Sequence, residues 1–560
     1  MNPKIEVKHM KNKIHTSPDP VPERRLRARS RPDYSDRRGA QRYRADFPLR
    51  IFVGQGSSAR EYEAKAHDIS SGGLLIEAPD VPPEETRIRI EFRIPNGVMP
   101  EDFIQGVVST DAEVLRRKPG DPMMGIAFAE DLGAHYRRTT WSYLRWLAAI
   151  VLLVAASLVL LIKYENLYYF WFDVPVFLYS LLVGGYLLSR FLFAAFYRES
   201  KPLSELPKLS VIVPVRNEEE NIARTIRQLM ESDYPRERLQ VIAVDDCSDD
   251  QSLNVMKESQ KIYPDLVVLE LGHQAGKRHA LAAGTGLATG SVIVFVDSDS
   301  FAQPDALRNL VNRFSDPGVA AVTGHCDVEN VWANVLTRMQ TVRYFLAFRV
   351  MKAAESVFDS VTCLSGPIAA YRREILQTVM PEWLDQTFMG RPTTFGDDRS
   401  LTNSLLRRGY KVAYECNARV TTIVPESHRG FLCQQLRWKR SWFRESLIAS
   451  SFMWRKQPLM VVSFYLGFIL PLLGPAIVLR AFVYVPLVQQ TSPLMYIFGI
   501  VLMSALMSST YLLYRRSRLW LYGTLFCFYY MFILVWQTPW AALTCWRNEW
   551  GTRSGTGGGQ

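Results

Sequence analysis

Hydrophobic positions divide this chain into runs of different period. Leu147 to Ile162 is almost wholly apolar and, with its flanking aromatics, is long enough to cross a hydrocarbon core. A second apolar run, from about Val174 to Phe196, is expected to bring the chain back, and three more follow near 458–487, 495–514 and 519–547. From about 205 to 450 the pattern changes. Short runs such as Leu209–Val213, Val241–Val244 and Val292–Val296 alternate with helical periods, which predicts an α/β domain with a mostly parallel sheet. Stretches such as Arg87–Phe92 alternate at period two and predict a small β-domain ahead of the first apolar run. Val331–Lys352 and Phe431–Phe452 mix apolar and basic residues at helical spacing, which suits surface-lying amphipathic helices and core-facing helices equally.

Charge orients these segments. Arg137, Arg138 and Arg145 precede the first apolar run, Arg198 and Lys201 follow the second, and Arg515, Arg516 and Arg518 mark a later turn, whereas 488–494 carries no charge. The positive-inside rule then places the central domain in the cytoplasm. One crossing in 519–547 would put the C-terminus outside, and two need more residues than are present, so this segment is expected to be partly interfacial or re-entrant. Residues 1–45 are crowded with Arg, Lys, Pro and Asp and supply much of the net charge of +11. No zinc-finger or RNA-binding signature accompanies them, so the basic excess points to anionic lipid and no nucleic-acid partner is expected. Seven scattered Cys without a CxxC indicate a reduced, cytosol-facing chain. The first apolar run starts only after Trp146, so no signal peptide is expected, and Gly555–Gly559 is low-complexity.

The chemistry gathers around acids at strand ends. Asp297-Ser298-Asp299 follows the strand Ser291–Val296, and two carboxylates there suit Mg²⁺ or Mn²⁺ on a diphosphate. A strand and polar turn run from Leu209 to Glu218, with Arg216 in the turn, and a second strand ends in Asp245-Asp246. Lys277 supplies a cation ahead of the D-x-D, and Thr394-Phe-Gly-Asp-Asp-Arg399 and Gln434-Gln-Leu-Arg-Trp438 follow.

In that order these motifs resemble the family 2 glycosyltransferases, in the processive branch that holds hyaluronan, chitin and cellulose synthases. Ser365-Gly-Pro367 with Tyr371-Arg372, the run from Thr394, QQLRW and Trp550-Gly-Thr-Arg553 look closest to hyaluronan synthases, with rhizobial chitin-oligosaccharide synthases next. The resemblance covers about 140–553 and implies a GT-A type domain. It also implies roles: Asp398 as general base; Asp297 and Asp299 for metal and diphosphate; Arg216, Asp245, Asp246, Lys277 and Arg437 for the nucleotide sugar; Ser365, Gly366, Gln434, Gln435 and Trp438 at the acceptor; and Trp550, Thr552 and Arg553 as a gate. Asp397 is expected to help through charge or contacts around the metal. Arg216 stands where many relatives have an aromatic residue, and its guanidinium can stack on a base.

Ahead of the first apolar run, Arg38-x₃-Arg42 and Asp68-Ile-Ser70-Ser-Gly-Gly73 resemble a PilZ domain, a small β-barrel that binds cyclic di-GMP. The whole reads as a multidomain membrane protein: a basic arm at 1–35, a PilZ-like barrel at 36–135, two transmembrane helices at 140–200, a glycosyltransferase domain with interfacial helices at 205–450, further transmembrane helices at 455–547, and a gating segment with Gly-rich tail at 548–560. The expected function is a processive, inverting β-glycosyltransferase of the bacterial inner membrane. It would use a UDP-sugar donor, Mg²⁺ or Mn²⁺ and cyclic di-GMP as activator, and extend and translocate a polysaccharide in contact with membrane lipid and cell-envelope export proteins. The alternatives are a non-processive lipid-linked sugar transferase and a cyclic di-GMP-responsive signalling protein whose transferase domain is inactive.

Overall fold

The computed structural model describes the strands between residues 43 and 129, short stretches between 132 and 161, and residues 173–547 apart from 491–492 and 516. Arg38, Arg42, Trp550, Thr552, Arg553, the arginines before the first apolar run, most of Leu147–Ile162 and the Gly-rich tail lie outside the described residues.

Six strands close the N-terminal barrel: β1 (Tyr43–Val53), β2 (Arg60–Ser70), β3 (Gly73–Glu77), β4 (Arg87–Arg93), β5 (Val107–Arg117) and β6 (Met123–Phe128), joined in the order β1-β2-β3-β6-β5-β4. Period-two patterning closes it. In β4, Ile88, Ile90 and Phe92 point inward while Arg87 and Arg89 face water. Phe92 stacks between Phe47 at 5.8 Å and Phe128 at 5.9 Å, which ties three strands to one core.

The central sheet contains β7 (Leu209–Val215), β8 (Leu239–Asp245), β9 (Leu266–Glu270), β10 (Val292–Phe295), β11 (Ser300–Ala302), β12 (Val319–Val328), β13 (Ala369–Arg372) and β16 (Lys411–Thr422); a separate hairpin is formed by β14 (Thr387–Phe388) and β15 (Arg391–Pro392). Its order is β11-β16-β12-β13-β10-β7-β8-β9. β10-β7-β8-β9 is parallel, as the apolar runs predict, but β13 inserts antiparallel between β10 and β12, so the sheet is mixed. β7, β10 and β12 are buried along their whole lengths, as strands covered on both faces require. From β7 the chain winds outward through β8 to β9, then crosses back to place β10 on the other side of β7. That reversal opens a crevice at the carboxyl ends of β7 and β10, where open α/β sheets bind ligands.

Among the described residues three helices are long and apolar enough to cross a membrane: Val174–Ala195, Pro458–Val488 and Tyr496–Tyr514. The last apolar segment is a pair, Trp520–Phe532 and Leu534–Ala542, bent by 43° at its break. The helix Val335–Leu346 runs through a π-helical turn, Ala347–Lys352, into Ala353–Ser356, and a long helix spans His428–Ser450. All seven cysteines are free.

The barrel offers a direct check of its packing. Gly73 starts β3 opposite Ala127, and a Cβ there would meet the Ile126 carbonyl oxygen at 2.2 Å. Backbone cannot yield as a side chain can, so Gly73→Ala should cost the barrel about 1–3 kcal/mol. The expected readout is faster hydrogen exchange across β3 and β6; an unchanged pattern would contradict this packing.

Candidate functional site

The site is assembled from strand ends and helix starts. Asp297 and Asp299 follow β10, and Ser298 between them is buried, its carbonyl accepting a hydrogen bond from Thr225 Oγ1 at 2.7 Å. Gly276, at φ +88°, turns the chain so that Lys277 opens the helix Lys277–Leu287. Asp246 fixes that turn by accepting the amides of Ala275 at 2.7 Å and Gly276 at 3.0 Å. Lys277 then pairs with Asp297 Oδ1. Burial alone would lower the Lys277 pKa, and the Asp297 carboxylate more than reverses it, so the ammonium is held.

Asp397 and Asp398 open the helix Asp397–Arg407 behind Gly396, a left-handed cap at φ +83°. A Cβ on Gly396 would meet Ser441 Oγ at 2.0 Å, so glycine is required by both conformation and space. Asp398 Oδ1 accepts the Arg399 amide at 2.8 Å and Oδ2 accepts the Cys363 thiol at 3.1 Å. Burial pushes the Cys363 thiol up to about 11, which keeps it protonated and donating. Asp397 is tied to Arg278 in a pair whose side chains are 11% and 5% exposed. Arg278 also donates to the Trp383 carbonyl at 2.9 Å. Asp397 thus ties the helix start to Arg278 while also lining the cavity and acting on the Lys277 charge.

One loop links the two acidic groups. Lys352, from the π-helical turn, donates to the Cys363 carbonyl and to Ser365 Oγ, the latter at 2.7 Å. Gly366 lies so close to Asp297 that a Cβ would come within 2.6 Å of its Oδ2. Cys363, Ser365 and Gly366 thus sit between the Asp297 and Asp398 carboxylates.

A cavity of about 640 Å³ gathers Lys277, Asp297, Asp299, Ser365, Gly366, Asp398, Gln434, Gln435, Arg437 and Trp438. The last four fall on one face of His428–Ser450 by their spacing. Trp438 is 36% exposed, with Tyr344 at 6.3 Å between centroids. Gln434 Oε1 and Gln435 Nε2 are buried without hydrogen-bond partners among the described residues, as polar atoms awaiting a ligand would be. The cavity continues to Gly467, Phe468 and Pro471 of the apolar helix and to Tyr530 and Thr538 of the bent pair.

Arg216, Asp245 and Asp246 stand at the carboxyl ends of β7 and β8, outside that lining. Arg216 donates to the Asp246 carbonyl at 2.8 Å, and Asp245 accepts Ser248 Oγ at 2.6 Å. Asn217 and Cys247 adopt φ +53° and +59°, strain that marks these two turns as tightly specified. On the barrel, Asp68 Oδ1 accepts the Leu75 amide at 3.2 Å and the buried Ser70 hydroxyl donates to the Gly73 carbonyl at 3.3 Å, so Asp68, Ser70 and Gly73 shape the β2–β3 connection.

Asp297 and Asp299 offer hard oxygens that fit Mg²⁺ or Mn²⁺, and the missing side chain at Gly366 lets Asp297 Oδ2 pack close against that loop. Among the described residues no group of three or more His, Cys, Asp or Glu forms a cage, so such a cation would complete its shell with oxygens from a bound phosphate. Arg278, Lys352 and Cys363 are the supporting residues that sequence reasoning missed. The one local signal was Arg278, beside Lys277.

Arg278→Met would leave Asp397 buried without its cation, and we expect a loss of about 3–5 kcal/mol in catalytic-domain stability by denaturant titration. Adding Asp397→Asn should restore part of that loss. A single variant as stable as wild type would remove the pair from the account.

Comparison with known proteins adds a family. A model described as "Glycosyltransferase like family 2" matches residues 207–441, and the PilZ domain model matches residues 36–146. The chain is 32% identical over 305 residues to the hyaluronan synthase of Streptococcus pyogenes, covering 54% of this chain and 72% of that one. It is 35% identical over 280 residues to an N-acetylglucosaminyltransferase of Rhizobium meliloti, covering 49% and 66%. The mannosyltransferase PcManGT from Pyrobaculum calidifontis, solved in complex with GDP-Man and Mn²⁺, aligns at TM-score 0.45 and 21% identity, over 65% of this chain and 98% of that one.

Proposed function

The chain belongs to the family 2 glycosyltransferases, and we propose that it is a processive, inverting member that builds a polysaccharide from UDP-sugars and passes it into its own membrane helices. The observation that carries this reading is the single cavity running from Asp297, Asp299 and Asp398 to Gly467, Phe468, Pro471 and Tyr530. A polymer extended at one end could leave by the other. A non-processive lipid-linked transferase has no need of a saccharide route into the apolar helices, and an inactive signalling domain has no need of intact carboxylates.

In this mechanism Asp398 takes the proton of the acceptor hydroxyl as its oxygen attacks the anomeric carbon, so the linkage is inverted. The Cys363 thiol and Arg399 amide hold that carboxylate in place. A divalent cation held by Asp297 and Asp299 would supply positive charge to the departing diphosphate. Lys277, now on Asp297, is placed to share that task, with Arg437 in the lining of the same cavity. Trp438 offers a flat face to the acceptor sugar, and Gln434 and Gln435 offer amides to its hydroxyls. Arg216, Asp245 and Asp246 shape the turns that receive the nucleotide. The gate that the resemblance assigns to Trp550, Thr552 and Arg553 lies outside the described residues.

The reading places the enzyme in the bacterial inner membrane as a multi-pass protein, in contact with lipid and cell-envelope export proteins, with its catalytic and PilZ domains in the cytoplasm. Cyclic di-GMP, held by Arg38, Arg42, Asp68, Ser70 and Gly73, activates it by binding the competent state more tightly than the resting one.

Purified full-length protein given UDP-sugars, Mg²⁺ or Mn²⁺ and cyclic di-GMP should yield long products, and Asp398→Asn should lower the rate by roughly 10²–10⁴-fold with donor binding retained. Products of a single added sugar would rule out processivity, and turnover persisting in Asp398→Asn would remove the base. Arg38→Ala with Arg42→Ala should abolish stimulation by cyclic di-GMP while unstimulated synthesis continues; full stimulation in that double variant would refute the regulatory assignment.

A further inference from the structure

Lys439 follows Trp438 in the helix His428–Ser450 and lines the same cavity, yet nothing in the chemistry above uses it. Its amine reaches across to the bent pair, where it donates to the Leu534 carbonyl and, at 3.3 Å, to Thr538 Oγ1, and lies 5.3 Å from the Tyr530 ring centroid. Leu534 stands at the break of that pair: Ile533, at φ −119° and ψ −59°, departs from helical geometry, and the chain bends by 43°. The Leu534 side chain is buried in a cluster with Leu336 and Met339 of the helix Val335–Leu346 and Phe431 of the helix His428–Ser450.

Lys439 is held there at a cost. Both of its hydrogen-bond partners are neutral, and burial, followed by the charge of Arg343, brings its pKa down to about 7. Asp297, Asp299, Glu355, Asp397, Asp398 and Glu445 line the same cavity, but among the described residues none of them forms an ion pair with Lys439. An apolar side chain of similar length would avoid the cost. What Lys439 adds is position: two hydrogen bonds fix the break to the turn of helix that carries Trp438. Three further bonds join the same elements, from His428 to the Tyr529 hydroxyl, from Gln537 to the Leu432 carbonyl and from Arg440 to Thr544. None of the three involves the Leu534 carbonyl.

From this we infer that Lys439 is a positioning residue: it pins the break of the bent pair to the helix behind Trp438 and so sets how long a growing saccharide is held between additions. This deepens the proposed function and rests on it. Product length follows from a competition between addition and release. Without the pin, Trp438 and Tyr530 shift relative to one another, the saccharide is held less firmly, and release gains. The donor end is left as it was, because Asp297 and Lys277 are fixed to each other on other elements.

The test sizes the products that the purified full chain makes from UDP-N-acetylglucosamine, alone and with UDP-glucuronic acid, and measures its affinity for UDP by calorimetry. Lys439→Met keeps the stem and removes the donor. Its mean product length should fall roughly fivefold, the factor that one lost hydrogen bond carries, while UDP affinity stays at the wild-type value. Lys439→Arg, which can still donate to both oxygens, should restore most of the length. Gln537→Leu breaks a bond between the same elements without touching the Leu534 carbonyl, and its products should keep the wild-type length. Wild-type length in Lys439→Met, UDP affinity lost together with length, or equal shortening in Gln537→Leu would overturn the inference. Should Lys439→Met fail to fold, Thr538→Val carries the test, with shorter products expected and an unchanged length overturning it. Wild-type products of a single added sugar, or none, overturn the processive reading and this pin with it. Long wild-type products whose length is unchanged in Lys439→Met overturn the pin alone.

Discussion

Carboxylates crowded into one cavity repel one another, and the catalytic end of this protein depends on restraining that repulsion. Three of them are fixed by partners from distant parts of the chain: Asp297 by Lys277, Asp397 by Arg278 and Asp398 by the Cys363 thiol. Lys277 and Arg278 are consecutive, so the start of one helix serves both acidic groups. Asp246 anchors the turn just before them through two backbone amides. Geometry at the sugar-transfer site is thus set by a carboxylate that never faces the cavity.

A second buried ion pair ties the catalytic domain to the apolar helices. Arg515, just past the helix Leu494–Tyr514, reaches Asp327 at the end of β12 at 2.5 Å. Burial alone would raise the Asp327 pKa, but Arg515 and His325 reverse this and hold the carboxylate well below its usual range. His325 also meets the Tyr414 hydroxyl at 2.6 Å, which carries the network into β16. Pairs of this kind gain little in net stability but lose much when one partner is removed, so they favour one relative position of the joined parts. That matters for a cavity whose walls come from both parts: a small slip would separate lining residues of the apolar helices, such as Gly467 and Tyr530, from the carboxylates.

What could be read in the sequence was whatever local spacing determines. Asp297 and Asp299 follow an apolar strand, Asp398 opens a helix behind Gly396, and Gln434 to Trp438 share a helix face; each arrangement is set within about a turn or a strand length. The period-two stretches gave the barrel, and the apolar runs gave the parallel half of the sheet. Partnerships across the fold could not be read in this way. Arg278 and Asp397 are 119 residues apart, and Arg515 and Asp327 are 188 apart. β13 is only four residues long, so its antiparallel insertion had no period to reveal it. Arg515, a turn marker in the sequence, is buried on Asp327. Asp245 and Asp246, read as ligands of the nucleotide, spend much of their hydrogen-bonding capacity on the turns around them.

The cavity changes character along its length. Asp297 and Asp299 suit a cation and a diphosphate, whereas Arg343 and Lys439, near Trp438, are basic and face aromatic rings. A phosphate is disfavoured among bare carboxylates unless a cation accompanies it. Cation–π contacts keep Arg343 in position without supplying a hydrogen bond, so its N–H groups remain available to whatever passes. An arginine neutralised by a carboxylate of its own could not do this. Asp397, by contrast, has a cation of its own in Arg278, and it still lines the cavity and acts on the Lys277 charge.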